Sequence, residues 1–345
     1  MSPNIRGGLN LGKAMLNKKL KLSKKIFAKD IDMIPTRQGY GEGLVEAGEK
    51  DEQVVVLGAD VTESTRSILF QERFPERFIE VGVAEQAMAT IAAGMAVYGK
   101  IPFISSYAVF SPGRNWEQIR TTIALNDVPV KIGGAHAGIS VGPDGATHQG
   151  LEDIALMRAM PNMIVVAPAD AIETKKAVLE AAKNGKPTYI RFAREKTPVF
   201  TTEATPFKIG RAEILWESKS PQAAIIACGP LIYEALLAAR ELAKKEIEVL
   251  VVNSHTVKPL DEKEIIRAAK ITGAIVTVEE HQKNGGLGGA VAEVVSRNFP
   301  VPMEFIGMPD SFGESGTPDE LLKKYGMKSE AIIEAVKKVI LKKEQ

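Results

Sequence analysis

"FIEVGVAEQAMATIAAGMAVYG", residues 78–99, compresses a strand, a turn and a helix into one short passage. Residues 78–82 form a short extended run ended by a glycine. The apolar residues that follow have helical spacing, with Glu85 in the first turn. A strand feeding directly into a helix is half of a β-α-β unit. Repeated, such units build a parallel sheet covered on both faces.

The alternation does recur. β-branched runs near residues 54–60, 78–82, 102–107, 130–136, 163–168 and 188–194 predict strands, with helices between most of them. The polar, proline-bearing stretch "EKTPVFTTEATPFKIG" (195–210) interrupts the pattern. It restarts with strands near 223–228, 248–253 and 274–279, separated by helices near 231–245 and 261–270. The expectation is an α/β chain of two consecutive parallel-sheet domains, residues 34–195 and a smaller one at 211–345, joined by a linker at 196–210. Ahead of them, residues 1–33 read as a basic leader rather than a domain. Its first 29 residues carry eight Lys or Arg and no acid, and it is expected to be solvated.

Composition narrows the function classes. The chain has 345 residues, 45% of them hydrophobic and 25% charged, with a formal charge of +1. This argues for a soluble globular protein and against a basic nucleic-acid binder. One cysteine, Cys228, has no internal partner for a disulfide, which fits a reducing cytoplasm. No apolar run has the roughly 20 residues that span a bilayer.

In open α/β sheets, ligands bind beyond the carboxyl ends of the strands. The residues that follow the predicted strands are Asp60 and Ser64, then Glu85, then Tyr107 and Phe110, then His136, Asp144 and His148, then Arg194. The densest group is "GGAHAGISVGPDGATHQG" (133–150), which holds two of the four histidines in a glycine-rich stretch. It reads equally as a ligand loop and as a structural glycine-rich turn. The spacing of His136 and His148 does not suit a helical metal pair, so no metal site is expected in this chain.

Glu85 also admits two readings. In a first turn it complements the helix dipole. Flanked by Val81, Val83, Ala84, Ala87, Met88, Ile91 and Ala92, it is instead expected in an apolar surround that suits a carboxyl to sharing a proton.

"FIEVGVAEQAMATIAAGMA", "DGATHQGLEDIALMRAMPNMIVVAPAD" and the closing α/β domain together resemble the C-terminal half of the transketolase family, from about residue 35 to the end. The resemblance implies a pyrimidine-binding domain for thiamine diphosphate followed by the family's C-terminal domain. It implies that Glu85 hydrogen-bonds a ring nitrogen of the cofactor's aminopyrimidine, that Tyr107 and Phe110 line that pocket, and that Asp60 lies near the thiazolium. Asp144, His148 and His136 match residues at the donor sugar, with the two histidines as candidates for proton transfer. Arg37, Ser64 and Arg194 match a clamp for the substrate phosphate, and guanidinium forks suit such a group. Arg191 is the neighbour with which Arg194 is most easily confused.

The family holds the diphosphate and Mg²⁺ through a Gly-Asp-Gly motif followed by asparagines in an N-terminal domain, and that pair is not found here; "PDG" at 143–145 belongs to the substrate motif. The resemblance therefore implies one subunit of a split transketolase. A partner chain would bring the diphosphate half, the cofactor would sit between the chains, and two copies of each would assemble. Sugar phosphates are the implied substrates, with no nucleic acid or membrane as partner. The alternatives are a deoxyxylulose-phosphate synthase-like half, a 2-oxoacid dehydrogenase beta subunit, and a non-catalytic scaffold homologue. "NGGLGG" (284–289) lacks the spacing of a nucleotide loop and reads as a tight turn, while His255 and His281 read as structural or interfacial.

Overall fold

The computed structural model describes residues 14–343. Its first sheet has seven strands in the order Thr256–Lys258, Ile164–Val166, Thr188–Arg191, Lys131–Ala135, Ile101–Tyr107, Val54–Gly58, Phe78–Glu80. All neighbours are parallel except the first pair. The strands Val54–Gly58 and Ile164–Val166 read as unbroken apolar runs because both faces are covered, while Ser105, Ser106, Lys131 and Arg191 are buried polar residues in others. Val54, Val56 and Phe103 pack toward the helices Thr36–Lys50 and Ala171–Lys183, while Val55, Leu57 and Ile104 pack toward Glu85–Val97.

The second sheet has the order Ala14–Leu16, Glu213–Ser218, Val249–Asn253, Ala223–Ala227, Ile275–Gln282, Met303–Met308. Its last four strands are parallel, and Glu213–Ser218 is antiparallel to both of its neighbours. Helices Ile232–Ala243 and Ser329–Lys343 cover one face, and Glu262–Thr272 and Leu287–Asn298 the other. The fold is thus α/β with two parallel-rich sheets.

Two features depart from independent domains behind a solvated leader. Residues 14–16 pair with the edge strand Glu213–Ser218, and Leu20 and Ile26 are buried against the second domain. Lysines dominate that segment, but these apolar residues between them anchor it. The strand Thr256–Lys258, from the second half of the chain, completes the first sheet, and a single apolar core runs from Met88 and Ile154 to Leu287 and Val291. The stretch read as a linker contributes the strand Lys196–Pro198, paired with Met33–Pro35.

Buried charge also joins the halves. Arg191 donates from Nε to Asp153 Oδ2 at 2.8 Å and from Nη2 to the carbonyls of Glu280 at 2.7 Å and Gly150 at 3.2 Å. Glu173 accepts from Asn253 Nδ2 at 2.7 Å and from the Ala169 amide at 2.6 Å. Burial, and then the neighbouring Asp170, pushes the Glu173 carboxyl up to about 8. The folded chain therefore holds a proton here that the unfolded chain releases above its ordinary value of 4.5. The stability this contributes is fully present below that value and is lost as pH rises through about 8. Glu173→Gln is expected to flatten the fall in unfolding midpoint between acidic and mildly alkaline buffer. Identical pH slopes for variant and wild type would refute this assignment.

Candidate functional site

The first sheet delivers its strand ends to one edge, and the site is assembled there. Strand Ile101–Tyr107 ends at Tyr107, whose ring stacks on His136 at a centroid distance of 4.0 Å and on Phe110 at 5.8 Å. His148 meets Phe110 and Tyr107 edge-on, at 5.6 and 6.0 Å. Four ring side chains from two segments thus form one aromatic wall.

His136 follows strand Lys131–Ala135 in the left-handed region, at φ +52°, and is buried with Nδ1 unpartnered. Burial, followed by the Arg37 and Arg194 guanidiniums and His148, pushes its imidazole down to about 3. It is a neutral imidazole at physiological pH, and the same surroundings disfavour its protonation. His148 is half-exposed, with Nδ1 and Thr147 Oγ1 2.9 Å apart.

The glycines of 133–150 divide into two uses. Gly133 and Gly134 lie inside the strand, where a Cβ would collide with the hydroxyls of Tyr40 and Tyr189, so they serve packing. The left-handed turns come later, at Gly138, Gly142 and Gly145.

Glu85 opens the helix Glu85–Val97 and is 2% exposed. Its surround differs from the apolar one expected: Arg114 Nη1 donates to Glu85 Oε2 at 2.6 Å while its guanidinium lies 4.6 Å over the Phe110 ring. Val83 and Ile91 face outward, 70% and 42% exposed. The buried Asn115 donates to the Glu85 carbonyl at 3.0 Å and to Ser111 Oγ at 3.2 Å, tying the helix start to the aromatic turn.

At the other end, Arg37 at the start of helix Thr36–Lys50 donates from Nη1 to the Ser64 carbonyl at 2.9 Å. Arg194 donates from Nη1 to Asp144 Oδ1 and to the Val141 carbonyl, both at 3.1 Å. Arg37 and Arg194 line one cleft of about 510 Å³. Arg191 is only 5% exposed and is consumed by Asp153, which separates it from this cleft. Asp60 is exposed at the end of the neighbouring strand, at φ +61°, in a turn braced by Glu80, which accepts from the Asp60 amide at 2.9 Å and from Thr62 Oγ1 at 3.0 Å.

Sequence reasoning passed over Arg114 and Arg66. Arg114 lies four residues beyond Phe110 in "FSPGRN", and Arg66 two beyond Ser64 in "ESTRS"; a tally of cations near strand ends would have caught both. Gln149 was also missed. It is buried, and its Nε2 donates to the carbonyls of Ile139 at 3.2 Å and Glu314 at 2.9 Å, which braces the Asp144 loop against the second domain.

Comparison with known proteins identifies the family. Residues 32–199 match the description "Transketolase, pyrimidine binding domain" and residues 210–332 "Transketolase, C-terminal domain". A putative transketolase C-terminal section from Methanocaldococcus jannaschii is 46% identical over 303 residues, covering 87% of this chain and 94% of that protein. A 6-deoxy-6-sulfo-D-fructose transketolase subunit from Clostridium sp. is 38% identical, with 89% and 95% covered. A solved structure described as a split-gene transketolase, inactive beta4 tetramer, superposes with a TM-score of 0.83 at 43% identity, covering 89% of this chain and 99% of that one. Against transketolases of rat, mouse and human, the chain spans about half their length. With both domains matched in order and relatives of the same extent, the chain belongs to the transketolase family and corresponds to its C-terminal section.

Proposed function

We propose that this chain is the C-terminal subunit of a split transketolase, which moves a two-carbon ketol unit from a ketose phosphate to an aldose phosphate. The observation that carries the reading is one continuous site: a buried carboxylate beside an aromatic wall, then histidines, then a cluster of guanidiniums. Thiamine diphosphate fits the first part, since the Phe110 and Tyr107 rings offer a flat apolar surface and Glu85 is a carboxylate almost closed off from solvent. When bound, this cofactor supplies the electron sink for carbon–carbon cleavage.

The chain's own residues do the rest. Glu85 would hold the ring nitrogen of the aminopyrimidine and share a proton with it. His148 accepts the proton of a donor hydroxyl, and neutral His136, its Nδ1 unpartnered, assists as a hydrogen-bond acceptor. Asp144 reads a second hydroxyl from the loop that Gln149 braces, and Asp60 places negative charge near the cationic ring. Arg37 and Arg194 hold the terminal phosphate through charge-assisted hydrogen bonds, with Ser64 orienting Arg37 through its carbonyl.

The reading assigns Mg²⁺ and the diphosphate to an N-terminal partner subunit. Partner contact has a candidate surface. Val83, Val97, Tyr98 and Leu125 are 70–90% exposed around the helix that carries Glu85, an apolar face unusual for a lone chain. The proposed assembly has two copies of each chain in the cytoplasm. No helix among the described residues is long and apolar enough to cross a membrane.

The test is ketose-phosphate cleavage by the purified chain with thiamine diphosphate and Mg²⁺, with and without a chain carrying the diphosphate motif. Activity only in the mixture is expected. Activity from this chain alone would overturn the need for a partner, and silence in both would overturn the transketolase reading.

A further inference from the structure

The distal cleft holds a cation to which no role has yet been given. Arg66 lines it together with Arg37 and Arg194, so three guanidiniums from three segments face one space of about 510 Å³. Their charge is unevenly answered. Arg194 is met by Asp144 at 3.1 Å and Glu195 at 3.6 Å, and Asp319 on the same wall is taken by Lys328 at 2.8 Å. Arg37 reaches a carbonyl, and the Nε atoms of both Arg37 and Arg66 are buried with no hydrogen-bond partner. Burial, and then the charges of Arg66 and Arg194, push the Arg37 guanidinium below its ordinary value, so the cluster repels itself.

Arg66 is also held in place at some cost. It caps the short helix Thr62–Thr65 in the left-handed region, at φ +67°, which disfavours an arginine. Helix Thr36–Lys50 packs against it so closely that a Cβ at Gly41 would lie 2.6 Å from the Arg66 carbonyl oxygen and 3.0 Å from its Cβ. The backbone that presents Arg66 is thus clamped by the element that presents Arg37.

We propose that Arg66 is a third guanidinium of the distal anion site, and that the site selects a dianionic phosphomonoester over a monoanionic group of the same shape. The proposal rests on reading this cleft as the far end of the substrate site. Glu195 lines the same cleft and acts on Arg37 from a distance, but neither Arg37 nor Arg66 has an ion-pair partner among the described residues, and two such guanidiniums match a group that carries about −1.5 to −2 charge near neutral pH, their forks matching its three equivalent oxygens. A sulfonate presents the same oxygens with half the charge.

The experiment is calorimetric titration of the purified full chain, at about pH 7.5 where a phosphomonoester is dianionic, with methyl phosphate and with methanesulfonate. The wild-type chain is expected to prefer methyl phosphate. Arg66→Asn is expected to weaken methyl phosphate about tenfold, the scale of one charge-assisted hydrogen bond, and to erase most of the preference. Asparagine tolerates left-handed backbone, so the unfolding midpoint should hold or rise. Arg66→Lys, which keeps the charge without the fork, should fall between. Methyl phosphate binding by Arg66→Asn within twofold of wild type would overturn the proposal, as would wild-type chain that binds neither anion or both equally. Because the probes require neither cofactor nor turnover, the outcome separates from the functional reading. An active mixture with an indifferent Arg66 removes only this inference, and phosphate selection without ketol transfer removes only the function.

Discussion

Under the proposed function, Glu85→Ala is expected to lower ketol transfer by the mixed subunits roughly 10²–10⁴-fold, the usual contribution of a positioned proton-transfer group. The fold should survive. The carboxylate is 2% exposed, but its partner Arg114 is 46% exposed, so water can take over the freed guanidinium. Asn115 bonds the Glu85 backbone carbonyl, which the substitution leaves in place, so the helix start stays tied to the aromatic turn. Glu85→Gln separates shape from proton transfer: it keeps the volume and removes the ionisable group, and it should be nearly as inactive. Steady-state turnover measured alongside sedimentation of the mixed subunits is the check. Turnover near wild type in either variant removes the proton role, and loss of assembly in Glu85→Ala would mean that the residue serves the interface instead.

Arg191→Met should be the most destabilising single change of a charged residue in the chain, by about 3–5 kcal/mol, because it leaves a buried carboxylate without its cation. Asp153 is 1% exposed by side chain, and its remaining donor is the Tyr189 hydroxyl at 2.7 Å. The same substitution strips donors from the carbonyls of Gly150 and Glu280, one on each side of the domain boundary. Replacing both charges, Arg191→Met with Asp153→Leu, should recover much of the loss, since no charge is then left buried alone. Unfolding midpoints of the two single variants and the double would decide this. A single-variant loss below about 1 kcal/mol, the range of an exposed ion pair, would show that water reaches the pair.

Arg191 and Arg194 also illustrate how much of the site was legible. Arg191 ends the strand Thr188–Arg191 and Arg194 lies three residues beyond it, and either is chemically suited to an anion. Strand pleat and the position of Asp153 decide between them: Arg191 points into the domain junction and Arg194 leaves the sheet toward the cleft. The family resemblance pointed to Arg194, and the burial of Arg191 leaves Arg194 as the one of the two that lines the cleft. Arg114 and Arg66 went unread for the converse reason. Each acts through a partner distant in sequence, Glu85 29 residues away for the first and the Arg37 helix for the second.

What the amino-acid order determined by itself was local and periodic. Apolar runs of strand length alternating with helical spacing specify parallel sheets covered on both faces, because each strand must be apolar throughout to be buried on two sides. The same order put Glu85, Tyr107, His136 and Arg194 at or after the ends of four different strands, where one edge of the sheet collects them. Only the tertiary structure decided the rest. Thr256–Lys258 crosses into the first sheet, Ala14–Leu16 closes the edge of the second, and Arg114 meets Glu85, since these contacts depend on which long-range surfaces bury together rather than on any residue's neighbours in the chain.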